Sequence, residues 1–313
     1  MKHSEISPPG KPASLFRPWA GRILYFLKTI VLSDERIIRE QYRHHHGAYP
    51  DLSHPVRFTE KIQWLKVHDR NPLLTTCADK LEVRRYVARK AGEHLLIPLL
   101  FTAADPGAIP FHALPPRYII KTNHGSGTNI AVTVPSMYIG HQKQEFNQEM
   151  ICKILKKWLK TNNYYRNREW EYKHIRPRII IEELLQDDTM NEVLNDYKIH
   201  CFNGVPLFIQ TIFDRYTSVK ETWYDTHWKM LDLWYFSSAK KDLPRPPALT
   251  EMLTVAGKLS RNFTYVRVDL YTAGDTVYFG ELTFHPYSGL MKFNPDEWDY
   301  KLGELLKLPV HEQ

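Results

Sequence analysis

The strongest constraint on the fold of this sequence is an alternating stretch near its C-terminal end. In residues 265–270 apolar side chains alternate with Arg267 and Asp269, and a second β-rich run follows at residues 276–283. Successive side chains of a strand point to opposite faces. The pattern therefore predicts an antiparallel hairpin over residues 265–284 with one apolar face and one charged face.

The turn of this hairpin decides which acids share a face. An even-length turn points Asp269 and Glu281 to opposite faces. A three-residue loop at residues 273–275 pairs Asp269 with Phe279, and it also pairs Arg267 with Glu281. Two carboxylates on one face suit Mg²⁺. The alternative is that the charged face is an ordinary solvated surface without a metal. A metal site at Asp269 and Glu281 therefore requires an odd-numbered loop or a bulge.

A second informative stretch is an apolar strand that ends at Lys121 and runs into a small flexible loop. The loop residues Gly125, Ser126 and Gly127 allow backbone N–H groups to approach phosphate oxygens closely, and Lys121 adds a positive charge. The loop matches neither the P-loop nor the dinucleotide-binding fingerprint. It predicts a triphosphate-binding loop, with an ordinary strand end as the alternative.

The remaining pattern predicts an α+β protein with a mainly helical front third. Expected helices cover residues 15–42, 59–68, 81–90, 147–160, 250–260 and 298–308. The proline-rich residues 105–117 predict a linker, and strands are expected at residues 118–121, 130–134, 179–181, 197–202 and 207–212. Residues 44–46, three histidines, are expected to form a solvated loop. We predict an N-terminal extension (1–55), an N-terminal lobe (56–115) and a core (116–313).

Composition restricts the class of protein. The 313 residues are 43% hydrophobic, and Lys and Arg outnumber Asp and Glu by 42 to 35, which favours anionic partners. Three cysteines without C-x-x-C spacing argue against a disulfide framework or a zinc site and favour a reducing cytoplasm. The N-terminal residues lack a secretory pattern, and residues 15–32 are too charged to span a membrane. Nucleic-acid binding is disfavoured because the basic residues form no dense stripe.

In this order the stretches resemble the ATP-grasp superfamily, and in detail its TupA-like branch, which is named for teichuronopeptide biosynthesis. The resemblance covers about residues 32–308. The segments that show it are, in sequence order, residues 58–64, 78–84, 121–127, 196–204, 214–215 and 281–286. It implies the ATP-grasp fold, two α+β subdomains that clasp a nucleotide, behind the helical N-terminal region.

The resemblance also implies roles for individual residues. It assigns the triphosphate to Lys80, Lys121 and the loop residues Gly125, Ser126 and Gly127. It assigns the adenine to Glu182, Glu183 and Leu185, and the ribose to Asp196 with Lys198 on the same face. It makes Asp269 and Glu281 the Mg²⁺ ligands and assigns the transferred phosphoryl group to Arg267 and Arg215. His124, His285 and Ser288 are further substrate candidates, with structural packing of the histidines as the alternative.

One position departs from the superfamily pattern. Many ATP-grasp enzymes have Glu-x-Asn at the metal glutamate, but this chain has Thr283 two residues after Glu281. Thr283 is therefore a doubtful third ligand to the metal.

The activity that the resemblance implies is ATP-dependent joining of a carboxylate to an amine through an acylphosphate, with ATP and Mg²⁺ as cofactors. The expected partners are a small-molecule amine and a carboxylate-bearing sugar or polysaccharide precursor, for instance an amino acid and a uronic acid, in the cytoplasm or at the inner face of the membrane. A glycosyltransferase using residues 187–188 or Asp269 for a sugar-nucleotide metal is one alternative. A non-catalytic scaffold that contacts the membrane surface through residues 15–32 is another.

Overall fold

The computed structural model describes residues 32–140, 142–185, 196–213, 220–236 and 241–309. Residues 15–31 of the helix predicted at 15–42 fall outside these ranges, as do Arg215 and residues 187–188, whereas its residues 34–42 lie in a described helix.

Helices dominate the first part of the described chain, and strands dominate the rest. The helices are α1 (Asp34–His46), α2 (Phe58–His68), α3 (Pro72–Ala78), α4 (Val83–Lys90), α5 (Gln148–Leu159), α6 (Asn163–Asn167), α7 (Leu249–Ser260) and α8 (Glu297–Leu305). The strands are β1 (Leu99–Ala103), β2 (Arg117–Thr122), β3 (Asn129–Thr133), β4 (Ser136–Ile139), β5 (Gln142–Glu145), β6 (Ile179–Glu183), β7 (Asp196–Phe202), β8 (Val205–Phe213), β9 (Lys220–Asp225), β10 (Met230–Leu231), β11 (Tyr265–Ala273) and β12 (Thr276–Thr283).

The strands form two antiparallel sheets of six strands each. The first sheet has the order β1-β6-β2-β3-β4-β5, and the second has the order β10-β9-β8-β7-β11-β12. The apolar faces of the two sheets lie in separate core clusters. Ile120, Ile181 and Ile151 of α5 belong to the cluster of the first sheet, while Val268 and Met252 of α7 belong to a cluster of the second. Burial of these side chains holds a helix against each sheet.

Most of the predicted elements are confirmed. Helix α4 begins at Val83, two residues later than predicted. Oδ1 of Asp79 accepts hydrogen bonds from the backbone N–H groups of Leu81 at 2.8 Å and Glu82 at 3.3 Å, which stabilise the turn that precedes the helix. The turn between β7 and β8 uses positive φ at Asn203 (48°) and Gly204 (82°), as the Asn-Gly dipeptide predicts.

The prediction of a loop at residues 44–46 is wrong, because these histidines form the last turn of α1, where His46 stacks on Tyr42 at 4.1 Å between ring centroids. The predicted lobe at residues 56–115 contributes β1 to the first sheet by pairing with β6. The division of the chain at residues 55 and 115 remains a prediction.

Candidate functional site

The C-terminal hairpin brings Asp269 and Glu281 into direct opposition. Ala273 pairs with Thr276, so the turn has two residues, and Leu270 pairs with Phe279. A bulge at Gly280 then shifts the register so that Asp269 pairs with Glu281. The prediction of a three-residue loop is therefore wrong, and the hairpin has the alternative feature, a bulge. An extra residue on one strand places both acids on the same face.

Gly280 fits this bulge because it has no side chain. A Cβ atom at this position would lie 2.8 Å from Cε2 of Tyr271 and 3.0 Å from the carbonyl oxygen of Asp269. These separations are shorter than van der Waals contacts. Any larger residue would push the two strands apart at the level of the acid pair.

The opposite face of β11 is apolar, as the alternation predicts. Val266, Val268 and Leu270 are fully buried in the core. Arg267 and Asp269 are also buried, at 5% and 2% exposure, but on the charged face. Burying these charges is costly unless each of them has a partner.

Asp269 has cationic partners on both sides. Its Oδ1 accepts a hydrogen bond from Nε of Arg267 at 2.6 Å, and its Oδ2 accepts one from Nη2 of Arg267 at 2.7 Å and one from Nζ of Lys198 at 2.5 Å. Lys198 also lies 2.7 Å from Oδ2 of Asp196. Burial by itself raises the pKa of Asp269, but the charges of Arg267 and Lys198 hold that pKa below its usual value, so Asp269 is ionised.

Glu281 is the more accessible acid of the pair, since 37% of its side chain is exposed. Its Oε2 lies 3.3 Å from Nζ of Lys80, and its Oε1 lies 3.7 Å from Nη2 of Arg267. The hydroxyl of Thr283 donates to the same Oε1 at 3.3 Å and accepts from Arg267 at 3.1 Å. Burial raises the pKa of Glu281, and the Lys80 charge is the main factor that brings it below its usual value.

Lys80 connects the acid pair with the glycine loop of the first sheet. Besides its contact with Glu281, its Nζ donates to the carbonyl oxygen of Gly125 at 2.8 Å, and its backbone N–H donates to Asn123 at 3.0 Å. A Cβ atom at Gly125 would lie 2.5 Å from Oγ1 of Thr122 and 2.1 Å from Oγ1 of Thr128. The structure thus brings Lys80, the loop at residues 125–127 and the metal-candidate acids together.

The other predicted cation, Lys121, lies at a separate ion pair on the first sheet. Its Nζ is 2.9 Å from Oε2 of Glu182, whose Oε1 accepts from Arg84 at 2.8 Å. Glu182 is buried, Glu183 is exposed and Leu185 is half-buried at the end of a described range. Sequence reasoning missed Arg84, although it lies in a segment that contributes to the resemblance. Of these acids, Glu182 is held by two cations and Glu183 faces solvent.

The three substrate candidates have well-defined partners. His124 is buried, with Nδ1 3.2 Å from Asn123 and Nε2 2.9 Å from the Thr161 carbonyl oxygen, and burial lowers its pKa. Nδ1 of His285 lies 2.8 Å from Oε1 of Glu171. Oγ of Ser288 accepts from Nζ of Lys66 at 2.8 Å. All three lie in hydrogen-bonded clusters that also hold the local backbone in place.

A row of cross-strand neighbours extends the acid pair across the second sheet. Glu281 pairs with Asp269, Asp269 with Lys198, and Lys198 with Gln210 on β8. Directly paired residues lie on the same face of a sheet. Gln210 therefore belongs to the charged face, although sequence reasoning did not select it.

Within the described ranges, no group of three or more His, Cys, Asp or Glu side chains is arranged to hold a metal ion. None of the described helices combines the length and the apolar character needed to cross a membrane.

The first antiparallel sheet carries the glycine loop, and the second carries the opposed acid pair. Lys80 contacts both. This arrangement is that of the ATP-grasp class of nucleotide-binding fold. The family model described as TupA-like ATPgrasp matches residues 60–307. The chain belongs to this family, and the predicted α+β ATP-grasp fold is confirmed.

Solved structures with a similar arrangement include two D-alanine–D-alanine ligases. The enzyme of Bacillus anthracis is 15% identical over 68% of this chain and 59% of that chain, with a TM-score of 0.37. The enzyme of Helicobacter pylori is 15% identical over 75% and 60%, also with a TM-score of 0.37. The ATP-grasp ligase PsnB, complexed with a phosphomimetic precursor variant, Mg and ADP, is 12% identical over 80% and 66%, with a TM-score of 0.38.

The chain spans less than two thirds of the length of each of these ligases. TM-scores this low add no argument beyond the family match. No curated protein matches the chain.

Proposed function

We propose that this protein is an ATP-dependent ligase that joins a carboxylate to an amine through an acylphosphate. The observation on which the proposal depends is the pairing of Asp269 with Glu281 next to Lys80, which also reaches the glycine loop. Membership of the TupA-like ATP-grasp family supports it.

The residues fit ATP with Mg²⁺. Two ionised oxygen donors on adjacent strands match the preference of Mg²⁺ for one or two carboxylates together with substrate phosphates. Asp269 and Glu281 would hold the metal, which would supply Lewis-acid stabilisation of the negative charge on the phosphates. Thr283 hydrogen-bonds both Arg267 and Glu281, so it positions the acid pair and need not be a ligand.

The assignments for the nucleotide follow the two sheets. Lys80, Lys121 and the loop residues Gly125, Ser126 and Gly127 would bind the triphosphate. Asp196 and Lys198 would lie at the ribose end. Glu182, Glu183 and Leu185 would meet the adenine, with Glu182 acting mainly as the anchor for Lys121 and Arg84. Arg267 would stabilise the transferred phosphoryl group, a role for which Arg215 is a second candidate outside the described residues.

In the proposed reaction, a carboxylate oxygen attacks the γ-phosphorus of ATP, the bond between the β- and γ-phosphates breaks, and ADP leaves. The amine nitrogen then attacks the acyl carbon, inorganic phosphate leaves and the nitrogen loses a proton, so that an amide forms. No side-chain nucleophile takes part. The side chains position the reactants and stabilise developing negative charge, which is the main source of catalysis in phosphoryl transfer. His124 and His285 are candidates for receiving the amine proton.

The proposed substrates are a uronic acid of a surface-polysaccharide precursor and the amine of an amino acid, acted on in the cytoplasm. This part of the proposal follows family analogy. The excess of Lys and Arg over Asp and Glu, 42 to 35, agrees with anionic substrates.

The test is release of ADP and phosphate by purified protein supplied with ATP, Mg²⁺, a uronic acid and an amino acid. The proposal expects release that requires both the carboxylate and the amine. Asp269→Asn and Glu281→Gln should each lower the rate roughly a hundredfold or more, since a metal contributes several kcal/mol to such a step. Glu149→Gln, an exposed acid on α5, is the matched control and should keep the rate.

Two outcomes would contradict the ligase. Consumption of a sugar nucleotide with ATP untouched would indicate the glycosyltransferase. Full function in both acid variants, with loss of function when residues 1–32 are removed, would indicate the membrane-surface scaffold.

A further inference from the structure

Three aromatic side chains that sequence reasoning did not select lie together at the charged face of the second sheet. The ring of Tyr287 is 5.0 Å from that of Tyr235 and 4.7 Å from that of Phe236, centroid to centroid. Tyr287 is 37% exposed, and the other two are partly exposed. Partly exposed aromatic rings next to polar groups are typical of ligand-binding surfaces.

One hydrogen bond and two cross-strand pairings connect this aromatic group with the acid pair. The side-chain amide of Gln210 lies 3.0 Å from the hydroxyl of Tyr235. Gln210 pairs with Lys198, which in turn pairs with Asp269. Adjacent strands are roughly 4.8 Å apart, so Gln210 lies about 10 Å from Asp269 across the sheet.

The segment that contains Tyr235 and Phe236 is fixed by a buried acid. Glu221 is fully buried and accepts the backbone N–H groups of Tyr235 at 2.5 Å and Phe236 at 2.6 Å. It also accepts hydrogen bonds from Gln210 at 2.5 Å and Trp223 at 3.2 Å. With four donors the carboxylate is well satisfied, which offsets the cost of its burial. Glu221 thus fixes both rings relative to Gln210.

The segment that contains Tyr287 is held in an unfavourable backbone conformation. Tyr287 and Ser288 have φ values of 49° and 58°, and Gly289 follows at 67°. The left-handed region is unfavourable for residues other than glycine because the Cβ atom crowds the backbone. Gln63 donates to the carbonyl oxygens of Ser288 at 2.9 Å and Gly289 at 2.8 Å, and these contacts stabilise the turn. Strain that the surroundings maintain is found preferentially at functional sites.

The two anchors therefore hold one aromatic surface beside the reaction centre from two different parts of the chain. We propose that Tyr235, Phe236 and Tyr287 form the acceptor subsite, where the apolar face of a saccharide ring stacks and directs the carboxylate of that ring toward Arg267. The proposal rests on the proposed ligase function and names the residues that would select its acceptor.

The chemistry of the surface matches a sugar acid. A pyranose ring has an apolar C–H face that suits the partly exposed aromatic rings. Gln210 is fully buried, and its amide holds the hydroxyl of Tyr235 in place. Arg267 supplies a positive charge for a carboxylate.

The experiment measures binding of an oligosaccharide of hexuronic acid to the full chain in the presence of ADP and Mg²⁺ by titration calorimetry. We expect saturable binding to the unmodified protein. Tyr287→Ala and Phe236→Ala should each weaken it roughly tenfold or more, while Tyr287→Phe should stay within about twofold. ADP binding should be unchanged in all three variants, which also shows that they are folded. Tyr49→Ala, an exposed tyrosine elsewhere, is the control.

Several outcomes would overturn the proposal. Uronic oligosaccharide that does not bind, or that binds equally well to Tyr287→Ala, excludes the subsite. Weakened ADP binding in Tyr287→Ala assigns the surface to the nucleotide. Equal binding of a neutral oligosaccharide of the same length removes the link between the ring carboxylate and Arg267. If the unmodified protein fails to bind ADP with Mg²⁺, the ligase proposal itself fails, and this result is distinct from loss of the subsite alone.

Discussion

Asp269 and Glu281 stand directly opposite each other because Gly280 adds one residue to β12 at their level. The bulge converts an even-length hairpin, which would separate the two acids, into one that pairs them.

Gly280→Ala should destabilise the protein by about 1–3 kcal/mol, the usual cost of forcing extra atoms into a packed site, because its Cβ would press on Tyr271 and the backbone of Asp269. Urea unfolding measures the change, and ADP release should fall in parallel. Gly257→Ala is the control. Its Cβ would come no closer than 3.8 Å to Pro206, and in helix α7 alanine should stabilise by up to about 1 kcal/mol. Equal effects of the two substitutions would show that the bulge does not require glycine.

Lys80→Ala should raise the KM for ATP and lower kcat, because Lys80 connects Glu281 with the glycine loop. We expect a loss in kcat/KM of roughly a hundredfold, typical of removing one preorganised charge from a phosphoryl-transfer site. Steady-state ADP release measures both constants. Lys90→Ala at the exposed end of α4 should leave them unchanged. An unaltered KM for ATP in Lys80→Ala would place Lys80 outside the nucleotide site.

The raised pKa of Glu169 predicts that the stability of the protein depends on pH. Burial raises the pKa of Glu169 to about 7, while burial lowers that of Lys66, in the same cluster, to about 8. Glu171, His285 and Ser288 also face this cluster. Because the folded-state pKa of Glu169 is raised, its stabilising contribution is present below about pH 4.5 and is lost as the pH rises through 7.

Relative to Glu169→Gln, the unmodified protein should therefore lose on the order of 3 kcal/mol of unfolding free energy between pH 4.5 and pH 8. Urea unfolding at several pH values measures this difference. Glu149→Gln, at an exposed position, should follow the unmodified protein at every pH. A constant difference between the unmodified protein and Glu169→Gln would show that Glu169 titrates normally.

Gln63→Leu should destabilise the protein by about 1–3 kcal/mol, because the carbonyl oxygens of Ser288 and Gly289 lose buried hydrogen bonds. If the strained turn presents Tyr287 to an acceptor, the KM for the acceptor should rise while the KM for ATP stays constant. Gln148→Leu at the exposed start of α5 is the control. Loss of stability with both KM values unchanged would make the turn a structural feature only.

Local patterns predicted much of the fold. The alternation from Val266 to Leu270 gave the faces of β11, and the Asn203-Gly204 dipeptide gave the turn before β8. Strand β5, residues Gln142–Glu145, was missed because its polar sequence has no apolar alternation, and pairing with β4 stabilises it instead. The last turn of α1 was missed because three adjacent polar histidines carry no amphipathic period.

The site was predicted less completely, since it depends on contacts between distant segments. The resemblance indicated Lys80 and Glu281 as functional residues. It could not predict that their side chains lie 3.3 Å apart, because that distance depends on how α3 and the turn after it pack against β12. Tyr235, Glu221 and Tyr287 come together only through tertiary contacts. Neither residues 235–236 nor the left-handed turn has a periodic signal. The ligand roles assigned to the individual residues remain predictions.

The bulge at Gly280 also determines which changes in chain length the hairpin can accept. Because the extra residue lies on the turn side of Glu281, deleting Gly280 would leave Glu281 opposite Asp269 in a regular ladder. Inserting one more residue there would require a second bulge or would rotate Glu281 to the other face. In related chains whose hairpins differ by one residue, the acid pair should therefore be aligned by its cross-strand partner and not by its distance from the turn.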